Sequence, residues 1–360
     1  MMDKRIPVTI LTGFLGSGKT TLLQKLLTSE GGAGVAVIIN ELGEVSLDHL
    51  FVRNISETAV VMKNGCICCS MRTDLQEGIR NLIDGRYKNE IPPFDRILVE
   101  TTGLADPTPI AQTLSGDPML LRQTRLANII TTIDALFGAE QIKKHPESLR
   151  QAAIADRLIL TKSDIASEEQ IEQTLAMIHE VNPLAMVIDS NREENLWELL
   201  FDIDPFDPKT KSTEVQAWLS HLPDIRVVQS KPSKFRKMMP SPERKPAAAR
   251  SYHDEWNQGK EIIETFTIRT EEPLNWTAFS IWLSALIYKY GPQILRIKGL
   301  LNVPGAKGPV VLNTVQSHIT PPHHLAEWPD EDHSSRIVFI VQGISPELMK
   351  KSLDKFLSLM

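Results

Sequence analysis

The chain has 360 residues, 42% of them hydrophobic and 23% charged, with 39 Lys and Arg against 45 Asp and Glu for a net charge of −6. That length suits two domains with enough core to fold without covalent staples, and the acidic balance excludes nucleic-acid binding by bulk electrostatics. The three cysteines, Cys66, Cys68 and Cys69, fall within four residues, which excludes a disulfide framework and leaves metal or redox chemistry in a reducing compartment.

No run of about 18 apolar residues occurs, so no membrane span is expected. Met1–Pro7 carries no export signal, and a cytoplasmic chain is the expectation.

Over residues 1–203, short apolar runs alternate with amphipathic stretches. Strands are predicted at Val8–Leu11, Val35–Asn40, Ala59–Met62, Arg96–Glu100, Asn128–Ile133, Arg157–Thr161 and Met186–Asp189. Helical periodicity appears at Thr20–Leu27, Asp74–Leu82, Glu168–His179 and Glu194–Phe201. This alternation predicts an α/β fold with a doubly wound, mostly parallel sheet. Residues 204–259 are rich in Pro, Lys and Ser and read as a linker or mobile loop. Its basic stretch Lys231–Arg250 reads as a solvated segment rather than a nucleic-acid contact. Residues 260–360 read as a smaller α+β domain. It has strands at Ile262–Ile268, Ile294–Val303, Val310–Val315 and Ile337–Val341, with helices at Trp276–Tyr290 and Ser345–Leu357.

Gly13-Phe14-Leu15-Gly16-Ser17-Gly18-Lys19-Thr20 fits G-x-x-x-x-G-K-[ST], after a strand and at the start of a helix. Glycines there let backbone N–H groups and the helix N-terminus wrap phosphates. Gly13, Gly16, Ser17, Gly18, Lys19, Thr20 and the following Thr21 are therefore candidate nucleotide contacts. Lys19 is expected at the β- and γ-phosphates, and the Thr20 hydroxyl on Mg²⁺.

Arg96–Glu100 ends in a carboxylate suited to the Mg²⁺ shell, and Gly103 follows where its N–H can sense the γ-phosphate. Thr161-Lys162-Ser163-Asp164 ends another apolar strand. Asp164 can accept from guanine N1–H and N2–H₂, and Lys162 can lay its stem over the base. Adenine in the same place would leave the carboxylate unpaired. Asp189-Ser190-Asn191 is a weaker candidate for closing the base pocket.

Gly65-Cys66-Ile67-Cys68-Cys69-Ser70 follows the strand Ala59–Met62 and precedes a helix with Asp74 placed in its first turn. Thiolates near a helix N-terminus have lowered pKa, and soft sulfur suits Zn²⁺ or a similar ion. Three ligands from one short loop leave a position open, as a transfer site needs. A redox C-x-C and three inert thiols are the competing readings. Asn40-Glu41-Leu42-Gly43-Glu44 leaves another strand end, where loops of a doubly wound sheet converge on the ligand crevice. Glu41 is a candidate metal ligand or water-positioning residue.

Together, P-V-T-I-L-T-G-F-L-G-S-G-K-T-T-L-L, N-E-L-G-E, G-C-I-C-C, E-T-T-G-L-A-D-P and T-K-S-D, followed by L-R-I-K-G-L-L at Leu295–Leu301, resemble the CobW-type metallochaperone GTPases. The resemblance covers nearly the whole chain. It implies a GTP–Mg²⁺ domain and a C-terminal domain of that family. It also implies a transition metal, zinc or cobalt first, held by Cys66, Cys68 and Cys69 and delivered to a client metalloprotein under control of GTP hydrolysis. Lys19, Glu41 and Glu100 would be the catalytic residues, and Thr20 and Glu41 further metal ligands. Nucleotide- or metal-dependent homodimerisation is left open. Leu42 stands where relatives often carry an aromatic, Thr161 replaces the usual Asn, and a long His-rich loop is lacking. Four histidines between His318 and His333 read as a polar surface loop or a metal-collecting edge. A metal-sensing switch and a P-loop kinase or ligase are the rival functions.

Overall fold

The computed structural model describes residues 4–40, 59–61, 70–201 and 263–358, together with Val215, Leu219 and Val227–Val228. Glu41, Cys66, Cys68 and Cys69 lie outside the described residues, as does the basic stretch 231–250.

The first sheet has seven strands: β1 (Ile6–Gly13), β2 (Val35–Asn40), β3 (Ala59–Val61), β4 (Arg96–Thr101), β5 (Thr124–Asp134), β6 (Arg157–Thr161) and β7 (Met186–Asp189). Their spatial order is β3-β2-β4-β1-β5-β6-β7, and every pairing is parallel. The expected doubly wound architecture is present.

Alternation along the strands fills two separate cores. Val8, Ile10, Ile38, Ile97, Val99, Ile129 and Leu158 point to one face, under the helices Ser70–Tyr87, Thr108–Gly116 and Pro146–Ile154. Leu11, Val37, Ile39, Leu98, Ile130 and Ile159 point to the other, under the helix Lys19–Leu27 and the helix Leu196–Phe201. Strands covered on both sides have no polar face, which is why the sequence shows near-continuous apolar runs.

Four helices escape the sequence reading: Thr108–Gly116, Pro118–Gln123, Gly138–Lys144 and Pro146–Ile154. All are nine residues or fewer, too short for a periodic pattern to stand out. Three have proline in the first turn, where its missing N–H costs nothing. The helix after the cysteines starts at Ser70. Asp74 therefore lies beyond its first turn, and Cys69 immediately precedes the helix.

The second sheet is built from β8 (Val227–Val228), β9 (Ile263–Thr270), β10 (Ile294–Leu301), β11 (Val310–Val315), β12 (His318–Ile319), β13 (His323–His324) and β14 (Ser335–Gln342). β9, β14, β10 and β11 pair antiparallel in that order, as expected for an α+β domain. Val227 and Val228 pair parallel with Thr267 and Ile268, so part of the presumed linker contributes an edge strand. The four clustered histidines are not simply a surface loop either. His318, His323 and His324 sit on short strands paired to β11.

One face of this sheet, with Phe266, Ile297, Leu301, Leu312, Ile337 and Phe339, packs against the helices Trp276–Tyr290 and Pro346–Leu357. The other face, with Leu295, Leu300, Val315, Val338 and Ile340, joins the core of the first sheet. A bulge between Ile294 and Arg296 turns Leu295 and Arg296 the same way. Arg296 is fully buried and donates to the Ile154 carbonyl at 3.2 Å and to the Asp156 carboxylate. Lys298 stands 4.0 Å from the same carboxylate. The other Asp156 oxygen accepts from Ile129 N at 2.9 Å.

Removing one partner from such a pair strands the other charge in the core. Arg296→Met is expected to lower unfolding stability by about 3–5 kcal/mol, measured by denaturant titration. Arg296→Met combined with Asp156→Leu is expected to recover part of that loss.

Candidate functional site

The site lies at the carboxyl ends of β1, β4 and β6. β1 delivers the chain into the loop Phe14–Gly18, and the helix Lys19–Leu27 leaves it. Gly16 and Gly18 have φ of 72° and 85°, a region that side chains disfavour. Gly13 has φ 143°, and a Cβ there would fall 2.2 Å from Thr132 Oγ1. The loop thus lies flat on β5. Ser17 is fully buried, with its hydroxyl 2.7 Å from Thr132 Oγ1 and its N–H donating to the Phe14 carbonyl at 3.1 Å. The structure therefore uses Ser17 to shape the loop, and its hydroxyl faces the sheet rather than the cleft.

Lys19 folds back over the loop, donating to the carbonyls of Gly13 at 2.8 Å and Phe14 at 3.1 Å. Its charge is thereby held over the cradle where a phosphate would sit. Thr20 Oγ1 donates to Glu100 Oε1 at 3.2 Å. Both are hard oxygen donors of the kind Mg²⁺ prefers. Glu100 is 6% exposed, and Thr101 beside it donates to Thr12 Oγ1 at 2.8 Å, which fixes the end of β4 to the end of β1. A cleft of about 490 Å³ opens between Leu15, Gly16, Gly18–Thr21, the Glu100–Gly103 turn and Lys162. Gly103 packs on the loop so closely that a Cβ would lie 2.7 Å from Leu15 N.

Lys162 has φ 58° and donates from Nζ to Asp134 Oδ2 at 2.6 Å, which aims its stem along the cleft. Asp164 is exposed, two residues further on, outside the cleft lining. Asn191 donates to Asp164 Oδ1 at 2.8 Å, while Ser163 donates to Asp189 Oδ1 at 2.6 Å. The Asp189–Asn191 turn thus stands against the guanine-reading candidate, as its strand-end position suggested.

Thr161, the departure from Asn, has a role of its own. Its hydroxyl lies 2.8 Å from the Ser17 carbonyl and 3.2 Å from that of Ile133. It braces the phosphate loop against β6, and a Cβ on Gly18 would meet it at 3.4 Å. Sequence reasoning missed Thr132 and Asp134. Both stand at the end of β5, and the rule that ligands gather at strand carboxyl ends would have found them.

Three or more potential metal ligands converge nowhere among the described residues. Burial pushes the His318 imidazole below its usual pKa, and Arg296 and Arg5 push it the same way. No helix among the described residues is long and apolar enough to cross a membrane.

The model of the CobW/HypB/UreG nucleotide-binding domain matches residues 7–189. The chain belongs to this family. The cobalamin synthesis protein cobW C-terminal domain matches residues 263–357 of the same CobW-family chain. The chain is 31% identical over 336 residues to the zinc chaperone YjiA of Escherichia coli K12, covering 93% of each. It is 35% identical over 217 residues to the zinc-regulated GTPase metalloprotein activator 1 of Schizosaccharomyces pombe, covering 58% of this chain and 51% of that protein. The crystal structure of Zn(II)-bound YjiA GTPase from E. coli matches with a TM-score of 0.67 at 26% identity, over 98% of this chain and 99% of that one.

Gly13→Ala should force the phosphate loop off Thr132 in this CobW-family protein. Backbone strain of ~1–3 kcal/mol is expected to weaken nucleotide binding by about tenfold or more. A fluorescent nucleotide titration measures this, with thermal unfolding as the check that the sheet remains folded.

Proposed function

We propose that this CobW-family protein is a GTP-hydrolysing metallochaperone that carries a transition metal, zinc before cobalt, to a client metalloprotein. The observation that carries this reading is the register of three strand ends. Asn40 of β2 lies beside Thr101 of β4, one residue from Glu100, and Val61 of β3 lies beside Ile39 of β2. Glu41 follows Asn40 directly, and Cys66 follows Val61 by five residues. At up to ~3.6 Å per residue, both loops leave the sheet within reach of the cleft that holds Lys19 and Glu100. The thiolate-bearing loop therefore starts from β3, one strand removed from β4, with the Glu41 loop of β2 between them.

In this reading Lys19 and the backbone of Gly13–Thr20 hold the phosphates, and the Gly103 N–H senses the γ-phosphate. Lys162 supports the base and Asp164 reads guanine, its carboxylate steadied by Asn191. Thr20 and Glu100 would hold Mg²⁺, which supplies neutralisation of phosphate charge in the transition state. Cys66, Cys68 and Cys69 bind the cargo metal, and Glu41 either completes its shell or orients the attacking water. Relatives named zinc chaperones favour zinc, and thiolate ligands suit it. A client with an empty metal site is the partner, and dimerisation governed by nucleotide or metal belongs to the same reading. Three cysteines with no distant partner fit a cytoplasmic setting. No glutamine or arginine is identified as a catalytic helper, so intrinsic turnover of about 10⁻² s⁻¹ or slower is expected.

Three measurements test this function. Asp164→Ala should reduce the preference for GTP over ATP by at least about 100-fold, read from competitive nucleotide binding. An unchanged preference would favour the kinase or ligase alternative. Wild-type protein should bind zinc stoichiometrically, and Cys66→Ala should weaken that affinity by more than about 100-fold. The zinc-loaded protein should then load an apo acceptor faster in the presence of GTP than a chelator control does. Zinc binding without transfer would indicate a metal-sensing switch instead.

A further inference from the structure

The helix Pro146–Ile154 lies between the γ-phosphate-sensing turn and the C-terminal sheet, and it touches both through consecutive residues. Gln151 is fully buried among apolar neighbours. Its side-chain amide donates to the carbonyl of Gly103 at 3.2 Å and to that of Ala105 at 2.9 Å. Its side-chain oxygen has no hydrogen-bond partner among the described residues. A buried amide with one half unsatisfied is costly, so what this position supplies is the donor half. The Gln151 backbone carbonyl accepts from Thr131 Oγ1 on β5 at 2.8 Å, which keeps the helix from following the turn passively.

Arg150 makes the second connection. It donates from Nη1 to Asp106 Oδ2 at 3.4 Å and from Nη2 to Gln342 Oε1 at 2.8 Å. Asp106 is in the same turn, three residues after Gly103, and accepts from Thr108 N at 2.9 Å to start the next helix. Gln342 ends β14 of the C-terminal sheet. One guanidinium thus spans the nucleotide-sensing turn and the second domain. Four residues after Arg150, the Ile154 carbonyl accepts from Arg296, so the far end of the helix is anchored to the C-terminal sheet too.

We propose that Gln151 is a positioning residue for the γ-phosphate-sensing turn, and that Arg150 beside it passes the nucleotide state of that turn to the C-terminal sheet. This inference rests on the GTP reading above. The tight fit of Gly103 on Leu15 gives the turn little slack. A γ-phosphate engaging the Gly103 N–H displaces the carbonyls that Gln151 holds, and Asp106 moves with them. Arg150 then redistributes between Asp106 and Gln342. Packed elements of this kind move between discrete arrangements rather than deforming smoothly.

The test uses the full-length protein with GDP and a non-hydrolysable GTP analogue. Affinities are read by calorimetry, and hydrogen exchange is read on β14. Wild type should bind both nucleotides and show exchange near Gln342 that differs between them. Gln151→Met should weaken the analogue about tenfold and leave GDP within about twofold, a split that general destabilisation would not produce. Arg150→Met should leave both affinities within about twofold and abolish the nucleotide-dependent difference at β14. If Gln151→Met fails to fold, the Arg150→Met result decides alone. Equal loss of both nucleotides in Gln151→Met, or a persisting exchange difference in Arg150→Met, would overturn the inference and leave the GTP reading intact. Failure of wild type to bind guanine nucleotides would remove the GTP reading, and this inference with it.

Discussion

The buried carboxylate of Asp156 is the joint on which both halves of the molecule depend. It lies two residues past the helix Pro146–Ile154, accepts the N–H of Ile129 in the central sheet, and neutralises Arg296 from the second domain. A charge in such a place is tolerable only when its partners are fixed. That requirement sets the position of β10, whose side chains face the first domain on one side and their own helices on the other. The C-terminal sheet is therefore a layer of a continuous core, not a module on a tether.

The same helix that ends before this joint also grips the Gly103–Ala105 turn beside the cleft. Chemistry at the phosphate cleft and the placement of the second domain thus share one rigid element. At the cleft itself, conformation is dictated by crowding. Gly13 must pass Thr132 and Gly103 must pass Leu15, while Gly18 needs glycine for its positive φ. Hydroxyls from Thr12, Thr101, Thr132 and Thr161 then pin the strand ends together. The result is a rigid cradle that holds Lys19 on the loop carbonyls and Glu100 on Thr20.

Much of this was legible in the sequence. The strands of the first domain are apolar on both faces and give unambiguous runs. The phosphate loop announces itself because its chemistry needs a fixed spacing of glycine, lysine and threonine. The four short helices were hidden because two turns leave no period to read. Gln151 and Arg150 were hidden for a different reason. Their meaning lies in Gly103, Ala105, Asp106 and Gln342, partners remote in sequence that only the fold brings together. Thr161 looked like a weakened guanine motif, whereas the structure gives it a bracing contact on Ser17. The basic segment and the cysteine loop were read from composition and spacing and lie outside the described residues.

If nucleotide and cargo metal share one crevice, as proposed, they bind with linked free energies. Linkage of this kind is typically ~1–3 kcal/mol and reciprocal. The most direct measurement is a calorimetric zinc titration of the intact protein loaded with GDP or with a non-hydrolysable GTP analogue. Zinc affinities should differ by about 5- to 150-fold between the two states, with the same ratio for the effect of zinc on the analogue relative to GDP. Equal zinc affinity in both nucleotide states would contradict that linkage.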